Sequence, residues 1–175
     1  MNFIFNASLD DKKLEQTVSG FNFNQGGKRT DALMKTSGII NSFCLAEIKT
    51  HSTELLKQVK EADRPESWAV SDKVAAGVAQ IQKTVQKFIE QAKTKYDIEK
   101  DDGTLTGEQV FLYLPKSYLI IGNLGEFISK NETVNEQKFS SFQLFRRNIV
   151  NPEIITFDEP YTRAKMIVEH NESNR

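Results

Sequence analysis

The sequence predicts an α/β fold in which a mixed β-sheet is flanked by helices. Three observations support this class. The chain up to about residue 50 has a strand-like pattern, a helical spacing of apolar residues begins after Ser71, and strand-like and helix-like segments alternate from there on. Initial consecutive strands followed by alternating strands and helices are typical of an α/β domain with a mixed sheet.

The N-terminal part predicts three consecutive strands that form a meander. They are centred on TVSGFNF (17–23), TDALMKT (30–36) and SFCLAEIKT (42–50), and the breakers NQGGK and SGIINS separate them. The stretch from Thr50 to Val70 is polar, and Pro65 disfavours helix at Arg64. We therefore expect a crossover or a flap between the meander and the first helix.

A helix is predicted from about Asp72 to Ala92. Ser71 is a suitable N-cap residue. Apolar residues then recur at helical spacing, and the stripe consists of Val74, Val78, Ile81, Val85, Phe88 and Ala92. We expect this stripe to pack on the sheet.

The remainder of the chain predicts a loop, strands and two more helices. Residues 97–109 are acidic and interrupted by glycine, which indicates a surface loop, and VFLYL and YLIIGNL around Pro115 indicate two strands. A second amphipathic helix is marked by Phe139, Phe142, Phe145 and Ile149. EIITF indicates a short strand, and Thr156 with Glu159 fits a capping box that starts a last helix through Ala164 and Val168.

Length and composition indicate a single globular domain over residues 1–175. A chain of 175 residues with 38% hydrophobic and 27% charged residues buries a substantial core without disulfides. We expect residues 1–16 to be peripheral. Because strand-like sequence starts with no helix before it, we also expect the chain to be the C-terminal part of a longer protein.

The cysteine content and the apolar runs predict a cytoplasmic protein. Cys44 is the only cysteine and lies in an apolar run, so we expect a buried free thiol in a reducing compartment. No apolar run approaches the ~20 residues of a spanning helix, and the N-terminus lacks the features of a signal peptide. A membrane partner is therefore not expected.

A formal net charge of −1 gives the chain no bulk attraction for nucleic acid. Contact with DNA must then come from local basic residues, and the candidates are Lys28, Arg29 and Arg64. The alternative is that these loop residues are ordinary solvated side chains. The paired glycines of NQGGK lack the sequence context of a nucleotide-binding loop, so no nucleotide cofactor is expected.

Asp31 and the triplet Glu47-Ile48-Lys49 are the residues that suggest chemistry. Side chains alternate along a strand, so Glu47 and Lys49 are expected on one face, and a hairpin between the two strands brings Asp31 beside Glu47. Paired carboxylates suit a hard cation such as Mg²⁺, and a nearby ammonium orients water and neutralises charge. An acid and a lysine two residues apart are, however, also typical of a solvated face or a cross-strand ion pair.

The stretches GKRTDALMK and CLAEIKTHSTELL resemble the PD-(D/E)XK nuclease superfamily, in particular the Shedu family of bacterial anti-phage nucleases. The resemblance continues in order through RPESWAVSDKVAAGVAQIQK, LIIGNLGEF, FQLFRRNI and IITFDE, and covers most of residues 20–170. It implies a restriction-endonuclease-like core. The superfamily core usually begins with a helix that bears a further acid, which has no counterpart in this sequence.

The resemblance also implies roles for individual residues. Asp31, Glu47 and the backbone carbonyl of Ile48 would ligate Mg²⁺, or alternatively Mn²⁺, and Lys49 would contact the attacking water or the scissile phosphate. Gln80 in GVAQIQK matches a motif glutamine that orients the lysine or the water. Many relatives carry an aromatic residue one turn later, where this chain has Thr84, so Gln82 remains a rival.

The resemblance implies a Mg²⁺-dependent DNA endonuclease in prokaryotic anti-phage defence, acting as a homo-oligomer and leaving 5′-phosphate and 3′-hydroxyl ends. Two alternatives remain open at this point. One is a domain that keeps the fold but serves DNA sensing or oligomerisation, with cleavage absent or gated. The other is a repair or restriction nuclease of the same superfamily.

Overall fold

The structure is a computed structural model that describes residues 9–14, 31–36, 41–59, 68–92, 94–100 and 102–173. The elements in these ranges are β1 (Leu9–Leu14), β2 (Ala32–Thr36), β3 (Asn41–Ile48), β4 (Leu56–Gln58), β5 (Trp68–Val70), α1 (Asp72–Ala92), β6 (Lys95–Glu99), β7 (Leu105–Ile120), the 3-10 helix η1 (Leu124–Phe127), α2 (Glu136–Asn148), β8 (Glu153–Ile155) and α3 (Asp158–Ser173).

The fold is α/β, with a mixed central sheet flanked by helices, and this confirms the predicted class. Within the sheet the strand order is β1-β2-β3-β7-β6, and β8 pairs with β7. β1, β2 and β3 form an antiparallel meander, and β4 pairs with β5 in a separate two-stranded sheet. β3 is therefore an interior strand of the sheet.

The predicted meander is confirmed for its second and third strands. β2 and β3 lie within the segments TDALMKT and SFCLAEIKT. The segment TVSGFNF lies outside the described residues, and the strand that pairs with β2 is Leu9–Leu14. That strand falls in residues 1–16, which the sequence led us to regard as peripheral.

The chain divides into two compact units. Unit 1 contains the described residues up to Ile48 together with Gln80–Tyr118, and unit 2 contains Lys49–Ala79 and the described residues from Leu119 onward. Each unit has its own core. The core of unit 1 consists of Leu33, Phe43, Leu45, Ile81, Val85, Phe88, Val110 and Leu112, and that of unit 2 consists of Leu55, Leu56, Val74, Val78, Leu119, Ile121, Phe127, Phe142 and Ile154.

The predicted helix α1 is confirmed over Asp72–Ala92. Its N-cap is Ser71, whose hydroxyl accepts a hydrogen bond from the N–H of Val74 at 3.2 Å. The predicted apolar stripe is buried from Val74 to Phe88. In unit 1, Phe88 is 2% exposed and meets the ring of Phe43 edge-to-face with 5.7 Å between centroids. Burying an aromatic side chain of this size contributes roughly 1.5–3 kcal/mol.

The predicted loop over residues 97–109 is wrong at both ends. β6 and β7 form an antiparallel hairpin in which Asp97 lies opposite Gln109 and accepts a hydrogen bond from its side-chain amide at 3.0 Å. Residues 104–109 are exposed in the structure, and Leu105 is the only apolar side chain among them. The sequence therefore shows no apolar alternation there that would reveal a strand. Gly103, with φ +82, lies in the tight turn of the hairpin.

The two strands predicted around Pro115 form one continuous strand, β7. Proline has no N–H to donate and is tolerated in a strand at an irregular position. Here Leu114 has φ +49 and is 75% exposed, which is the irregularity that accommodates the proline. The strand therefore continues past the residue that was expected to end it.

The predicted helices and the short strand of the C-terminal part are confirmed. α2 buries Phe142, and the strand EIITF corresponds to β8. One of the two hydrogen bonds of the capping box forms, since the N–H of Thr156 donates to Oε2 of Glu159 at 2.9 Å. The hydroxyl of Thr156 donates to the same oxygen at 3.1 Å, and the N–H of Glu159 donates to the backbone carbonyl of Thr156 at 3.2 Å. In the polar stretch from residue 50 to 70, the hairpin of β4 and β5 forms, and Pro65 lies outside the described residues.

Cys44 is a buried free thiol, as predicted, with 1% of its surface exposed. Burial raises the pKa of the Cys44 thiol to about 11, against a smaller lowering by the charge of Lys116. Such a thiol is un-ionised at neutral pH. Across the part of the chain that the structure describes, no helix combines the length and the apolar character needed to cross a membrane.

Candidate active site

Asp31 and Glu47 are placed opposite each other by the register of two neighbouring strands. The prediction that these strands pair is confirmed, with Ala32 of β2 opposite Ala46 of β3. Asp31 immediately precedes β2, so the same register continued by one residue sets it opposite Glu47. Opposed residues of an antiparallel pair project from one face, with Cβ atoms about 4.5–5.5 Å apart.

The carboxylate of Asp31 is fixed to the backbone of the triplet Glu47-Ile48-Lys49. Its Oδ2 accepts a hydrogen bond from the N–H of Ile48 at 2.7 Å. Asp31 is half-buried, and Ile48 is 37% exposed. A hydrogen bond to an ionised carboxylate is stronger than one between neutral groups, so this contact holds the end of β3 against Asp31.

Glu47 lies deeper than the alternation of side chains predicts. It is 2% exposed, and among the residues that the structure describes it is the only charged side chain classed as buried. Side chains on both faces of β3 are buried from Phe43 to Glu47. Burial of a carboxylate is costly unless hydrogen bonds or a cation compensate it, which makes Glu47 the chemically most informative residue of unit 1.

Gln80 supplies one of these compensating contacts. Its Nε2 donates to Oε1 of Glu47 at 2.6 Å, which joins α1 to β3 at the carboxylate. One turn later the hydroxyl of Thr84, which is buried, donates to the backbone carbonyl of Gln80 at 2.9 Å. Gln82, the rival candidate, is exposed. The structure thus brings Gln80 to Glu47.

Lys49 directly follows β3 and is the first residue of unit 2. It is half-buried, and its N–H donates to the backbone carbonyl of Ile120 at 2.8 Å. The next residue, Thr50, accepts a hydrogen bond from the N–H of Gly122 at 3.1 Å. The backbone of the lysine is therefore held by the end of β7 and by the residues that follow it.

The donor set fits a hard divalent cation. Two carboxylates on opposed positions, with the carbonyl of Ile48 next to one of them in the chain, offer oxygen ligands of the kind that Mg²⁺ selects. In the described parts of the chain, no group of three or more His, Cys, Asp or Glu side chains is arranged to hold a metal ion. Mg²⁺ commonly takes only one or two protein carboxylates and keeps several waters, so a two-carboxylate site suits it better than zinc.

The basic residues predicted for DNA contact, Lys28, Arg29 and Arg64, lie outside the described residues. Arg146 of α2 makes two hydrogen bonds of 2.8 Å to the carboxylate of Glu159. Only 15% of its side chain is exposed. Arg146 is thus part of a structural ion pair.

Two residues that hold the chain between Thr50 and Leu56 have no counterpart among the sequence-based candidates. They are Gly122 and Glu126, both in the segment LIIGNLGEF. The carboxylate of Glu126 accepts from the N–H groups of Leu55 at 2.6 Å and Leu56 at 3.2 Å. The glycines of this segment are visible in the sequence, but their long-range partners are not.

The fold and the paired carboxylates define an α/β protein consistent with a restriction-endonuclease-like core. A family model described as Shedu protein SduA, C-terminal, matches residues 2–160. Because the match covers most of the chain, the protein belongs to this family. A search of curated proteins finds no match.

Proposed function

We propose that this protein is a Mg²⁺-dependent DNA endonuclease that acts in prokaryotic defence against phage, as a homo-oligomer. The observation that carries the proposal is the buried carboxylate of Glu47, opposite Asp31 and hydrogen-bonded to Gln80. Family membership supports the defence role. The fold also suits a nuclease, since it is consistent with a restriction-endonuclease-like core.

Each side chain has a distinct task in this proposal. Asp31 and Glu47, with the carbonyl of Ile48, hold the cation. When bound, the cation supplies Lewis acidity that stabilises charge on the phosphodiester and acidifies water. Gln80 fixes the orientation of the Glu47 carboxylate by donating to Oε1. Lys49, two residues after Glu47 in the chain, orients the water or neutralises the scissile phosphate.

The burial of Glu47 argues against the reading in which the acid and the lysine form only a solvated surface pair. Surface ion pairs contribute about 0–1 kcal/mol and require no burial of either partner. A carboxylate that is 2% exposed has lost most of its hydration. Strongly desolvated carboxylates with fixed hydrogen-bond partners are characteristic of functional sites, where a bound cation offsets the cost of burial.

The test is DNA cleavage by the full chain on linear and circular DNA, with and without Mg²⁺. We expect cleavage that requires the cation and is lost in Lys49→Ala, Glu47→Gln and Asp31→Asn. Thermal unfolding and DNA binding of each variant separate loss of chemistry from loss of structure. Cleavage that persists without metal, or in Lys49→Ala, would contradict the mechanism.

A different outcome would favour a different class of function. If the wild-type chain binds DNA but cleaves neither substrate in Mg²⁺ or Mn²⁺, the fold serves DNA sensing or assembly and the proposal of an enzyme is wrong. The matched control for the three substitutions is Gln82→Ala, since Gln82 is exposed and is assigned no role in the proposed site.

A further inference from the structure

The segment that begins at Lys49 is held at its start by the end of β7. Residues 49–56 are called the Lys49 segment below. The N–H of Lys49 donates to the carbonyl of Ile120 at 2.8 Å, and the carbonyl of Thr50 accepts from the N–H of Gly122 at 3.1 Å. These two hydrogen bonds fix the backbone on both sides of the Lys49–Thr50 peptide.

Gly122 is itself held from its other side. Its carbonyl accepts from the N–H of Phe157 at 3.0 Å, and the preceding Ile121 donates to the carbonyl of Ile155 at 3.0 Å. A further bond of 3.0 Å joins the N–H of Leu124 to Oδ1 of Asp158. Gly122 thus links the Lys49 segment to β8 and to the start of α3.

Only glycine fits at position 122. Its φ is +64, a left-handed conformation that is costly for residues with a Cβ atom. A Cβ atom at this position would lie 2.5 Å from Cδ2 of Leu55 and 2.7 Å from the backbone oxygen of Thr53. Both neighbours belong to the Lys49 segment, so a larger residue would displace that segment.

The far end of the Lys49 segment is held by Glu126 and by the cap of α1. The carboxylate of Glu126 accepts from the N–H groups of Leu55 and Leu56, at 2.6 and 3.2 Å. The carbonyl of Leu55 accepts from the N–H of Ser71 at 2.9 Å, and the hydroxyl of Ser71 donates to the carbonyl of Glu54 at 2.7 Å. Leu55 is fully buried between these contacts.

We infer that Gly122 and Glu126 are positioning residues for Lys49, and that together they fix the backbone from which its ammonium group reaches the reaction. This inference rests on the proposed function, because it assigns Lys49 a role in cleavage. Neither residue touches the substrate in this assignment. They act through the Lys49 segment, Gly122 at its start and Glu126 at its end.

The consequence of this arrangement is kinetic. A displacement of about 1 Å in a catalytic group costs on the order of 10²-fold in rate, whereas binding of the remaining substrate is little affected. Loosening the Lys49 segment should therefore lower kcat more than it raises KM for DNA. A purely structural role would instead lower overall stability and leave the kinetics of the folded fraction unchanged.

The test compares Gly122→Ala with Gly103→Ala in the full chain. Gly103 also has a positive φ, +82, but a Cβ atom there meets no atom within 4 Å. The control therefore imposes the same type of backbone strain without the collision at Thr53 and Leu55. If Gly122→Ala does not fold, Glu126→Gln replaces it, since this change removes one carboxylate acceptor and adds no volume.

Two readouts are measured, amide hydrogen exchange without DNA or metal, and kcat and KM for Mg²⁺-dependent cleavage. We expect exchange in residues 49–56 to accelerate at least about tenfold in Gly122→Ala, with kcat lower by on the order of 10²-fold and KM changed less than about threefold. Gly103→Ala should match the wild type in that segment and in kcat.

The inference is overturned if exchange in residues 49–56 is unchanged, if it accelerates equally throughout the chain, or if KM rises while kcat is kept. Failure of the wild type to cleave DNA would instead overturn the proposed function. Hydrogen exchange tests whether Gly122 holds the Lys49 segment whether or not the wild type cleaves DNA. The failure of the inference and the failure of the proposed function are therefore distinguishable.

Discussion

Replacing Gln80 by alanine tests the contact that defines the candidate site. In the wild type, Nε2 of Gln80 donates to Oε1 of the buried Glu47 at 2.6 Å. A hydrogen bond to a charged group contributes about 1.5–3 kcal/mol. If Gln80→Ala loses this contact in the transition state of cleavage, the same free energy corresponds to a decrease in kcat of about 10- to 150-fold.

The same substitution has a smaller effect on folding. Alanine is the best helix former, so α1 gains slightly in propensity while Glu47 loses one donor. We expect the melting temperature of Gln80→Ala to fall by a few degrees in the absence of metal. Binding of Mg²⁺ to the native state should restore part of the loss, because ligand binding to the folded state stabilises it.

The assay measures single-turnover cleavage in Mg²⁺ for Gln80→Ala and for Gln82→Ala. Gln82 is exposed on the same helix, so its variant controls for changes in helix propensity and expression. We expect Gln82→Ala to cleave at nearly the wild-type rate. Wild-type cleavage by Gln80→Ala, or an equal loss in both variants, would refute the assignment of Gln80.

Three further predictions concern stability and DNA binding. Burial raises the pKa of Glu159, but hydrogen bonds from Arg146 and Thr156 and the charge of Arg146 lower it overall below its ordinary value of 4.5. The stabilisation that the ionised Glu159 carboxylate gives should therefore be complete above pH 4.5 and be lost as the pH falls through the folded-state pKa. The free energy of unfolding of Arg146→Ala should depend less on pH in this range. Equal acid sensitivity of the variant and the wild type would contradict the pairing. Glu126→Ala should lower the free energy of unfolding in urea by about 1–3 kcal/mol for each of the two backbone N–H groups left without its carboxylate, and Glu126→Gln by less. DNA affinity should fall steeply with salt, since a chain of net charge −1 binds phosphates only through local basic groups, and a salt-independent affinity would count against DNA as the partner.

The sequence predicts best those elements that have both a periodic stripe and a chemical cap. α1 has an apolar stripe and the N-cap Ser71, and it spans the predicted residues Asp72–Ala92. α3 begins beside Thr156 and Glu159, and the predicted bond from the N–H of Thr156 to the carboxylate of Glu159 forms. Each signal is local, because the residues that form it lie within one or two turns of one another.

The sequence predicts poorly those elements whose stability comes from distant partners. Lys95, Asp97 and the first residues of β7 are exposed, and these segments are strands because they pair with each other across a glycine turn. Pro115 was expected to separate two strands, yet the exposed, positive-φ Leu114 lets β7 continue. Neither the β6–β7 pairing nor the continuity of β7 can be predicted from a few consecutive residues, since both depend on pairing within the sheet.

In the candidate site, too, some features follow from the local sequence and others depend on distant partners. The spacing of Asp31 and Glu47 was sufficient to predict that their strands pair, and the register of β2 with β3 sets the two residues opposite each other. The choice between Gln80 and Gln82 could not be made from helical angles, because both lie on flanks of the stripe. In the structure the Gln80 amide donates to Oε1 of Glu47 at 2.6 Å, and this contact is the reason for assigning Gln80 to the proposed site.

The burial of Glu47 is the departure from simple strand alternation that carries most meaning. Alternation alone predicts that Glu47 shares a charged, exposed face with Lys49, but residues 43–47 are all buried. Burial of a carboxylate at such a position costs desolvation free energy and lowers the stability of the fold. Buried charges of this kind concentrate at functional sites, where the binding of a ligand offsets the cost of desolvation. If Glu47 ligates Mg²⁺ as proposed, Mg²⁺ should raise the melting temperature of the wild type more than that of Glu47→Gln. An equal rise in both proteins would count against Glu47 as a ligand.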